Sequence, residues 1–356
     1  MMTRSTLTRS TLTPPVPDDT GTAPQADNIV AAPGVRRRIT AMSMWAVAFT
    51  AGCLLIGLPT DPVYAFVWLW LATIAWSSHR PWRSHLRFAR DWSPLVVLLI
   101  GYNLSRGFAD NGATPHVHEM IDADTTMWGW ATGGAAPTVW LQHHLYDPNQ
   151  VHWWDLAVSA VYFSHFVTAP ALAAVLWMRD RTVSAAFMRR WVALFAAGLA
   201  TYFLYPAAPP WWASVHGLIE PLARISTRGW SAIGLHGAGN MLNAAQLDAA
   251  NPIAAMPSLH TAFATLCAGF FMNRVRTRSR PLLACYPLAM MFSLVYSGEH
   301  WVIDTLIGIG YAVVILLAMT SLERRWRHYR ANGLDRARET QTAATTPTPG
   351  CGSLLK

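Results

Sequence analysis

Charged residues are scarce in this chain, and lysine is almost absent. Only 13% of the 356 residues are Asp, Glu, Lys or Arg, and Lys356 is the single lysine. The net charge of +8 therefore comes from arginine. The arginines fall between long apolar segments, a placement that indicates membrane topology and not a nucleic-acid-binding patch. We expect no nucleic-acid partner.

Cysteine is also scarce, and the missing patterns exclude two kinds of site. The four cysteines, Cys53, Cys267, Cys285 and Cys351, show neither metal-ligand spacing nor a disulfide framework. The N-terminal segment lacks the basic start, apolar run and cleavage site of a signal peptide. We therefore predict no metal, no cofactor and no cleaved leader.

Apolar residues and tryptophan are abundant instead. Hydrophobic residues make up 53% of the chain, and its 18 tryptophans are typical of a protein with membrane–water interfaces. Eight apolar segments approach or reach the length needed to span a bilayer. They are residues 41–60, 62–78, 93–109, 155–178, 187–205, 257–273, 282–297 and 301–320. We predict an all-α polytopic membrane bundle with about eight transmembrane helices.

Arginine clusters alternate along the loops. They precede the first apolar segment and follow the second, fourth, sixth and eighth. Because positively charged loops stay in the cytoplasm, both termini should be cytoplasmic and the chain should lie in a plasma membrane. The long loops 110–154 and 206–256 are poor in arginine and should lie outside the cytoplasm, with short helices along the membrane surface. The arginine- and alanine-rich composition is typical of a GC-rich bacterium.

Two short motifs place histidines at the starts of apolar helices on this outer side. Residues 256–260 read Met-Pro-Ser-Leu-His, and residues 298–304 read Gly-Glu-His-Trp-Val-Ile-Asp. Ionisable residues near a membrane usually mark function. Asp304 lies four residues after His300 on the same helix face, so it can orient the imidazole and leave one nitrogen free as nucleophile or base. A structural polar pair and a metal site stay open as alternatives.

Three further side chains are candidates for contact with an anion. Ser258 and the helix start that it opens offer donors to a phosphate, and His260 follows in the first turn. The alternative for His260 is an interfacial histidine bonded to a loop carbonyl. Arg106, at the end of the third segment, fits two parallel bonds to phosphate oxygens. Alternatively, the Arg106 side chain extends to the lipid headgroups and has no role in the site.

The two motifs together resemble the type 2 phosphatidic acid phosphatase superfamily. The inositol phosphorylceramide synthase branch is similar in more detail, because it shares Pro-Ser-Leu-His and a Pro-x-x-Pro-Pro-Trp-like stretch, here Pro206–Trp211. The resemblance covers residues 93–320 and implies a six-helix catalytic core. The domains predicted for the whole chain are a disordered cytoplasmic tail (1–38), two accessory transmembrane helices (39–92), the catalytic core (93–322) and a cytoplasmic tail (323–356). Both tails and the first two helices lie outside the resemblance, and the composition predicts that the C-terminal tail is disordered from about residue 332.

This resemblance implies metal-independent phosphoryl chemistry on lipids. By it, His300 is the nucleophile that forms a phosphohistidine, and Asp304 is its partner. His260 protonates the leaving oxygen, and Ser258 helps to hold the phosphate.

Two signatures of the hydrolase form are missing. Ser293 and Leu294 stand where a Ser-Arg pair precedes the second histidine, and Thr73 stands where Lys-x6-Arg-Pro would have its lysine. Arg106 is a candidate for part of the lost charge. These departures favour a transferase that moves a phosphoryl group from a membrane phospholipid or isoprenoid phosphate to a small alcohol or polyol. The alternatives are a lipid phosphate phosphatase, with water as acceptor, and a non-catalytic transporter or lipid-binding scaffold.

Overall fold

The computed structural model describes residues 33–57, 62–109, 114–234 and 253–345, together with residues 237, 239, 240 and 244. Within these ranges, the side chains at 33, 62, 63, 104–109, 331 and 333–345 are not described. This part of the chain is helical, and its extended backbone is limited to isolated bridges at His116, Ala207 and Ala254. The predicted all-α fold is confirmed for these residues.

Eleven α-helices whose bounds the structure describes make up most of the described residues. In chain order they are α1 (Pro33–Leu55), α2 (Pro62–Trp76), α3 (Trp82–Ala109), α4 (His118–Thr132), α5 (Pro137–Leu145), α6 (Trp153–Arg179), α7 (Arg181–Leu204), α8 (Pro210–Val215), α9 (Leu259–Met272), α10 (Arg280–Tyr296) and α11 (Val302–Thr345). Two short 3-10 helices, Arg228–Ile233 and Thr277–Ser279, precede α9 and α10. The loop regions expected outside the cytoplasm thus contain α4, α5 and α8.

Each predicted apolar segment overlaps a helix in its described residues, but several helices continue into the neighbouring basic residues. α3 begins at Trp82 and not at 93, so the arginines at 83, 87 and 90 lie on a helix and not in a loop. α11 continues to Thr345, beyond the expected end at 320 and into the tail expected to be disordered from about 332. Arginine is a good helix former, so an apolar segment marks where a bilayer could bury the chain and not where the helix ends.

Four helices in the described ranges are long and apolar enough to cross a membrane. They are Gly34–Leu55, Trp153–Arg179, Arg181–Leu204 and Val302–Arg330. Tyr64–Trp76 and Leu259–Met272 are apolar but shorter. The length and composition of these helices are those of a membrane protein, and the number of eight transmembrane helices stays a prediction. The predicted tail of residues 1–38 lies almost wholly outside the described residues.

α9 packs against α6, α7, α10 and α11, and its N-terminus lies against that of α11. The Ser258 N–H donates to the carbonyl oxygen of Asp304 over 3.0 Å. Gly308 allows this approach, because a Cβ at that position would lie 2.4 Å from the Ser258 carbonyl oxygen. Small residues let membrane helices approach closely. The two histidine motifs are therefore brought to the same end of the bundle.

Residues 206–211, the Pro-x-x-Pro-Pro-Trp stretch, hold the segments that lead into α9 and α11. Ala207 pairs with the backbone at residues 253–255 through two hydrogen bonds of 2.9 and 3.0 Å. The indole Nε1 of Trp301, which is fully buried, donates to the Ala208 carbonyl oxygen over 2.8 Å. The stretch therefore positions both motifs through its own backbone.

Candidate active site

The two motif histidines face one another where α9 and α11 begin. His260 is the second residue of α9, and His300 lies in the turn before α11. Their ring centroids are 5.5 Å apart, and the ring planes are inclined by 63°. Nε2 of His260 and Nδ1 of His300 are buried and have no hydrogen-bond partner in the described part of the chain. The structure therefore brings together the two imidazoles on which the sequence hypothesis depends.

Asp304 is fully buried beside His300. Its Oδ2 lies 3.5 Å from His300 Nδ1 and accepts a hydrogen bond from the Trp301 N–H over 3.0 Å. Its Oδ1 has no partner among the described residues. A separation of 3.5 Å is long for a hydrogen bond, and such bonds in unliganded sites often shorten when substrate binds. The carboxylate is placed to orient the ring, with one oxygen still available.

A third histidine, His165 of α6, lies against His260. The ring centroids are 4.0 Å apart, and Nδ1 of His165 is buried without a hydrogen-bond partner in the residues described. The Tyr162 ring also packs on His260, with centroids 5.3 Å apart. The sequence analysis missed His165, because a lone histidine in a long apolar segment belongs to no motif. The available signal was its ionisable ring inside a predicted membrane helix.

The predicted phosphate ligand Ser258 is fully buried and caps α9. Its Oγ accepts from the Thr261 N–H over 3.4 Å and lies 3.3 Å from the Thr261 hydroxyl. The hydroxyl of Ser258 therefore stabilises the start of α9. The other predicted ligand, Arg106, lies on α3, but its side chain lies outside the described residues, so its role stays a prediction.

The carboxylate of Asp124, on α4, caps the N-terminus of α11. Oδ2 accepts from the Val302 N–H and Oδ1 from the Ile303 N–H, both over 2.9 Å. Burial raises the pKa of Asp124 to about 6, although the two backbone hydrogen bonds act in the opposite direction. The charge of Asp304 nearby raises the pKa further. The sequence analysis gave Asp124 no role, because it lies 178 residues before Val302 and belongs to no local capping pattern.

An arginine–glutamate pair borders His300. Glu299 accepts from Nε and Nη2 of Arg224 over 2.8 and 3.0 Å. The Ser226 hydroxyl donates to the same carboxylate over 2.9 Å. Two parallel bonds of this kind fix the orientation of a guanidinium. The sequence analysis missed Arg224, because no spacing in the loop 206–256 links it to His300.

No three His, Cys, Asp or Glu side chains within the described ranges are arranged to hold a metal ion. What the site does offer is a pair of facing imidazoles, a carboxylate beside one of them and the start of α9. A nucleophile and a proton donor on either side of one small oxyanion are what phosphoryl transfer through an enzyme nucleophile needs.

A family model described as the PAP2 superfamily matches residues 134–318, which are just over half of the chain and include both motifs. The chain belongs to the PAP2 superfamily. Within this superfamily it is similar to a phosphoinositol dihydroceramide synthase from Bacteroides thetaiotaomicron, with 27% identity over 174 residues. These residues are 46% of the chain and 56% of that relative, so the chain spans only about half of the relative's length. No solved structure gives a significant match.

The superfamily and this relative confirm the resemblance to the inositol phosphorylceramide synthase-like branch.

Proposed function

We propose that this PAP2 superfamily member is a membrane lipid phosphotransferase that works through a phosphohistidine intermediate. The observation that carries the proposal is the 5.5 Å approach of the His260 and His300 rings from separate helices. The Asp304 carboxylate beside His300 supports the choice of His300 as nucleophile. Membership of the superfamily supports lipid phosphate chemistry at this site.

In the first step, Nε2 of His300 attacks the phosphorus of a membrane phospholipid or isoprenoid phosphate. The N–P bond forms while the P–O bond to the leaving group breaks, and protonated His260 gives its proton to the departing oxygen. Asp304, on the Nδ1 side, stabilises the positive charge of the phosphorylated ring. Ser258, the start of α9 and Arg106 are the groups proposed to contact the phosphate oxygens.

In the second step, the hydroxyl of a small alcohol or polyol attacks the phosphohistidine. His260, now neutral, accepts the hydroxyl proton while the O–P bond forms and the N–P bond of His300 breaks. Both histidines return to their starting states, and no metal or cofactor takes part in the proposed cycle. Water in place of the alcohol would make the enzyme a phosphatase.

Two observations favour the transferase over the phosphatase. Leu294 occupies the position of the hydrolase arginine and is fully buried in an apolar cluster, so this position supplies no charge to a phosphate. The similar protein is named a phosphoinositol dihydroceramide synthase, which is the name of a transferase and not of a phosphatase. That name is the reason to test phosphatidylinositol as donor first, beside isoprenoid phosphates.

We propose that the site opens on the extracytoplasmic side of a plasma membrane, with both termini in the cytoplasm. The arginine alternation supports this orientation. The side-by-side N-termini of α9 and α11 support one common side for both histidines.

The purified protein should transfer a phosphoryl-containing group from one of these lipids to a polyol or ceramide acceptor, detected by mass spectrometry. His260→Ala and His300→Ala should each abolish the product, and a chelator should leave it unchanged. Turnover that survives both substitutions would rule out the mechanism. Products formed with water alone would identify a phosphatase, and no turnover of any lipid phosphate by the unaltered protein would favour the scaffold.

A further inference from the structure

Leu294 stands where the hydrolase form has its phosphate-binding arginine, and its side chain is fully buried among apolar residues. A phosphoryl group carries negative charge on its non-bridging oxygens, and enzymes stabilise it with fixed cationic donors. An arginine next to the histidines would therefore supply the missing charge.

Arg224 is held beside the His300 motif by two side chains. Glu299 accepts from its Nε and Nη2, and Glu299 is the residue immediately before His300. The guanidinium carbon lies 4.8 Å from the ring centroid of Trp211, so the cation rests on an aromatic face. Trp211 is itself anchored beside the motif, because its N–H donates to the Gly298 carbonyl oxygen over 3.0 Å.

The guanidinium keeps one edge open. Nε and Nη2 are engaged with Glu299, whereas Nη1 donates to no residue in the described part of the chain. The side chain is 18% exposed, and its charge lies within electrostatic range of the His260 ring.

We propose that Arg224 binds the substrate phosphate through its open Nη1 edge, in place of the arginine missing at position 294. The assignment rests on the proposed phosphoryl chemistry at His260 and His300. Glu299 and Trp211 are positioning residues, since they hold the guanidinium without reaching the phosphate. The Ser226 hydroxyl, which donates to Glu299, completes the support.

A purely structural role for Arg224 makes a different prediction. In that case the Arg224–Glu299 pair only ties the loop before α9 to the turn before His300, and its loss lowers stability without changing affinity for an anion. Anion affinity therefore separates the two roles. Orthovanadate, a mimic of a phosphoryl group in transfer, is a suitable probe because it requires no knowledge of the lipid.

The test measures vanadate affinity by thermal shift of the detergent-purified full chain. Arg224→Gln should weaken vanadate binding roughly 10- to 100-fold, the range expected for loss of a charged hydrogen bond. Arg224→Lys keeps the positive charge but loses the paired guanidinium donors, so its vanadate affinity should lie between those of the unaltered protein and Arg224→Gln. Arg228→Gln is the matched control, because Arg228 lies in the same loop and donates to the carbonyl oxygens of Asp147 and Gln150.

Vanadate affinity in Arg224→Gln equal to that of the unaltered protein would overturn the assignment. If this variant does not fold, unchanged affinity in Arg224→Lys would overturn it equally. A comparable loss in Arg228→Gln would point to a general effect of the loop and would also overturn it. If the unaltered protein binds no vanadate and turns over no lipid phosphate, the proposed function itself fails, and the role of Arg224 fails with it.

Discussion

The burial of the Asp304 carboxylate is the residue-scale feature that bears most directly on His300. A buried carboxylate is costly unless it is paired, so its burial needs a compensating interaction. A proton on Nδ1 of His300 supplies a donor to Oδ2 of Asp304 when the ring becomes cationic by protonation or phosphorylation. The 3.5 Å separation is then expected to shorten to a charge-assisted hydrogen bond. This selects Nε2 as the reactive nitrogen.

Asp304→Asn should lower kcat by roughly 10²- to 10⁴-fold with a much smaller change in KM, as the loss of a carboxylate beside a catalytic imidazole does elsewhere. The amide keeps the shape but neither the charge nor the tautomer preference. Initial rates with the lipid substrate identified by product analysis measure the effect. Asp122→Asn is the matched control, because Asp122 is exposed on α4. A kcat unchanged in Asp304→Asn would remove Asp304 from the mechanism.

Residues within one motif were accessible to prediction, and residues that meet from distant segments were not. His300 and Asp304 are linked by helical spacing, which the sequence displays directly. Arg224 reaches Glu299 across 75 residues, and Asp124 reaches Val302 across 178. These pairs depend on how the loops fold over the helix ends, and a single sequence carries no periodic signal for that.

At the scale of elements, α4 and α11 are joined by the Asp124 cap. The carboxylate satisfies two N–H groups at the start of α11 that have no partner within the helix. The same helix start follows His300 directly, so the cap fixes the direction in which α11 leaves the site. Because α4 provides the cap of α11, a shift of α4 would change the position of His300 relative to His260.

This cap predicts a pH dependence whose sign is opposite to that of most carboxylates. Since burial raises the pKa of Asp124 to about 6, the folded state holds its proton at pH values where the unfolded chain has lost it. The stabilisation from this group is therefore present below the unfolded pKa and is lost as pH rises through about 6. The contribution of this titration to the free energy of unfolding is on the order of 3 kcal/mol at most.

Asp124→Asn removes this titration, so the melting temperature of the native protein relative to the variant should fall as pH rises from 4 to 7. Melting curves in detergent across this range measure the difference. Glu119→Gln is a matched control on the same helix, because its pKa is lowered by a hydrogen bond from His116. For Glu119→Gln, the difference in melting temperature between the native protein and the variant should rise with pH or stay constant. If the melting temperatures of the native protein and Asp124→Asn differ by the same amount at every pH, the prediction is wrong.

The helices were predicted well in their apolar parts and poorly at their ends. α6 and α10 coincide with the predicted segments to within two residues. α3 and α11 do not, because their arginine-rich continuations are polar yet remain good helix formers. Hydropathy reports where a membrane could surround the chain, and helix propensity reports where the backbone can continue. The two agree only where a loop begins at the membrane surface.

At the scale of the whole molecule, the number of membrane crossings depends on the short helices. α9 has 14 residues, fewer than the roughly 20 needed to span the apolar core of a bilayer. α9 nevertheless runs from the histidine motif to an arginine cluster that includes Arg274 and Arg276. If it crosses with a locally thinned bilayer, the motif and the cluster lie on opposite sides, as the positive-inside rule requires.

Single-cysteine labelling tests this crossing, with Cys53, Cys267, Cys285 and Cys351 replaced by serine or alanine. Asn149, before α6, and Thr277, after α9, are exposed, and the described helices between them that are expected to cross the membrane are α6, α7 and α9. An odd number of crossings puts them on opposite sides. Asn149→Cys should therefore react with an impermeant maleimide in intact cells, and Thr277→Cys only after permeabilisation. Tyr329→Cys, two helices further on, is the matched control and should behave like Thr277→Cys. Labelling of Asn149→Cys and Thr277→Cys from the same side would mean that α9 does not cross.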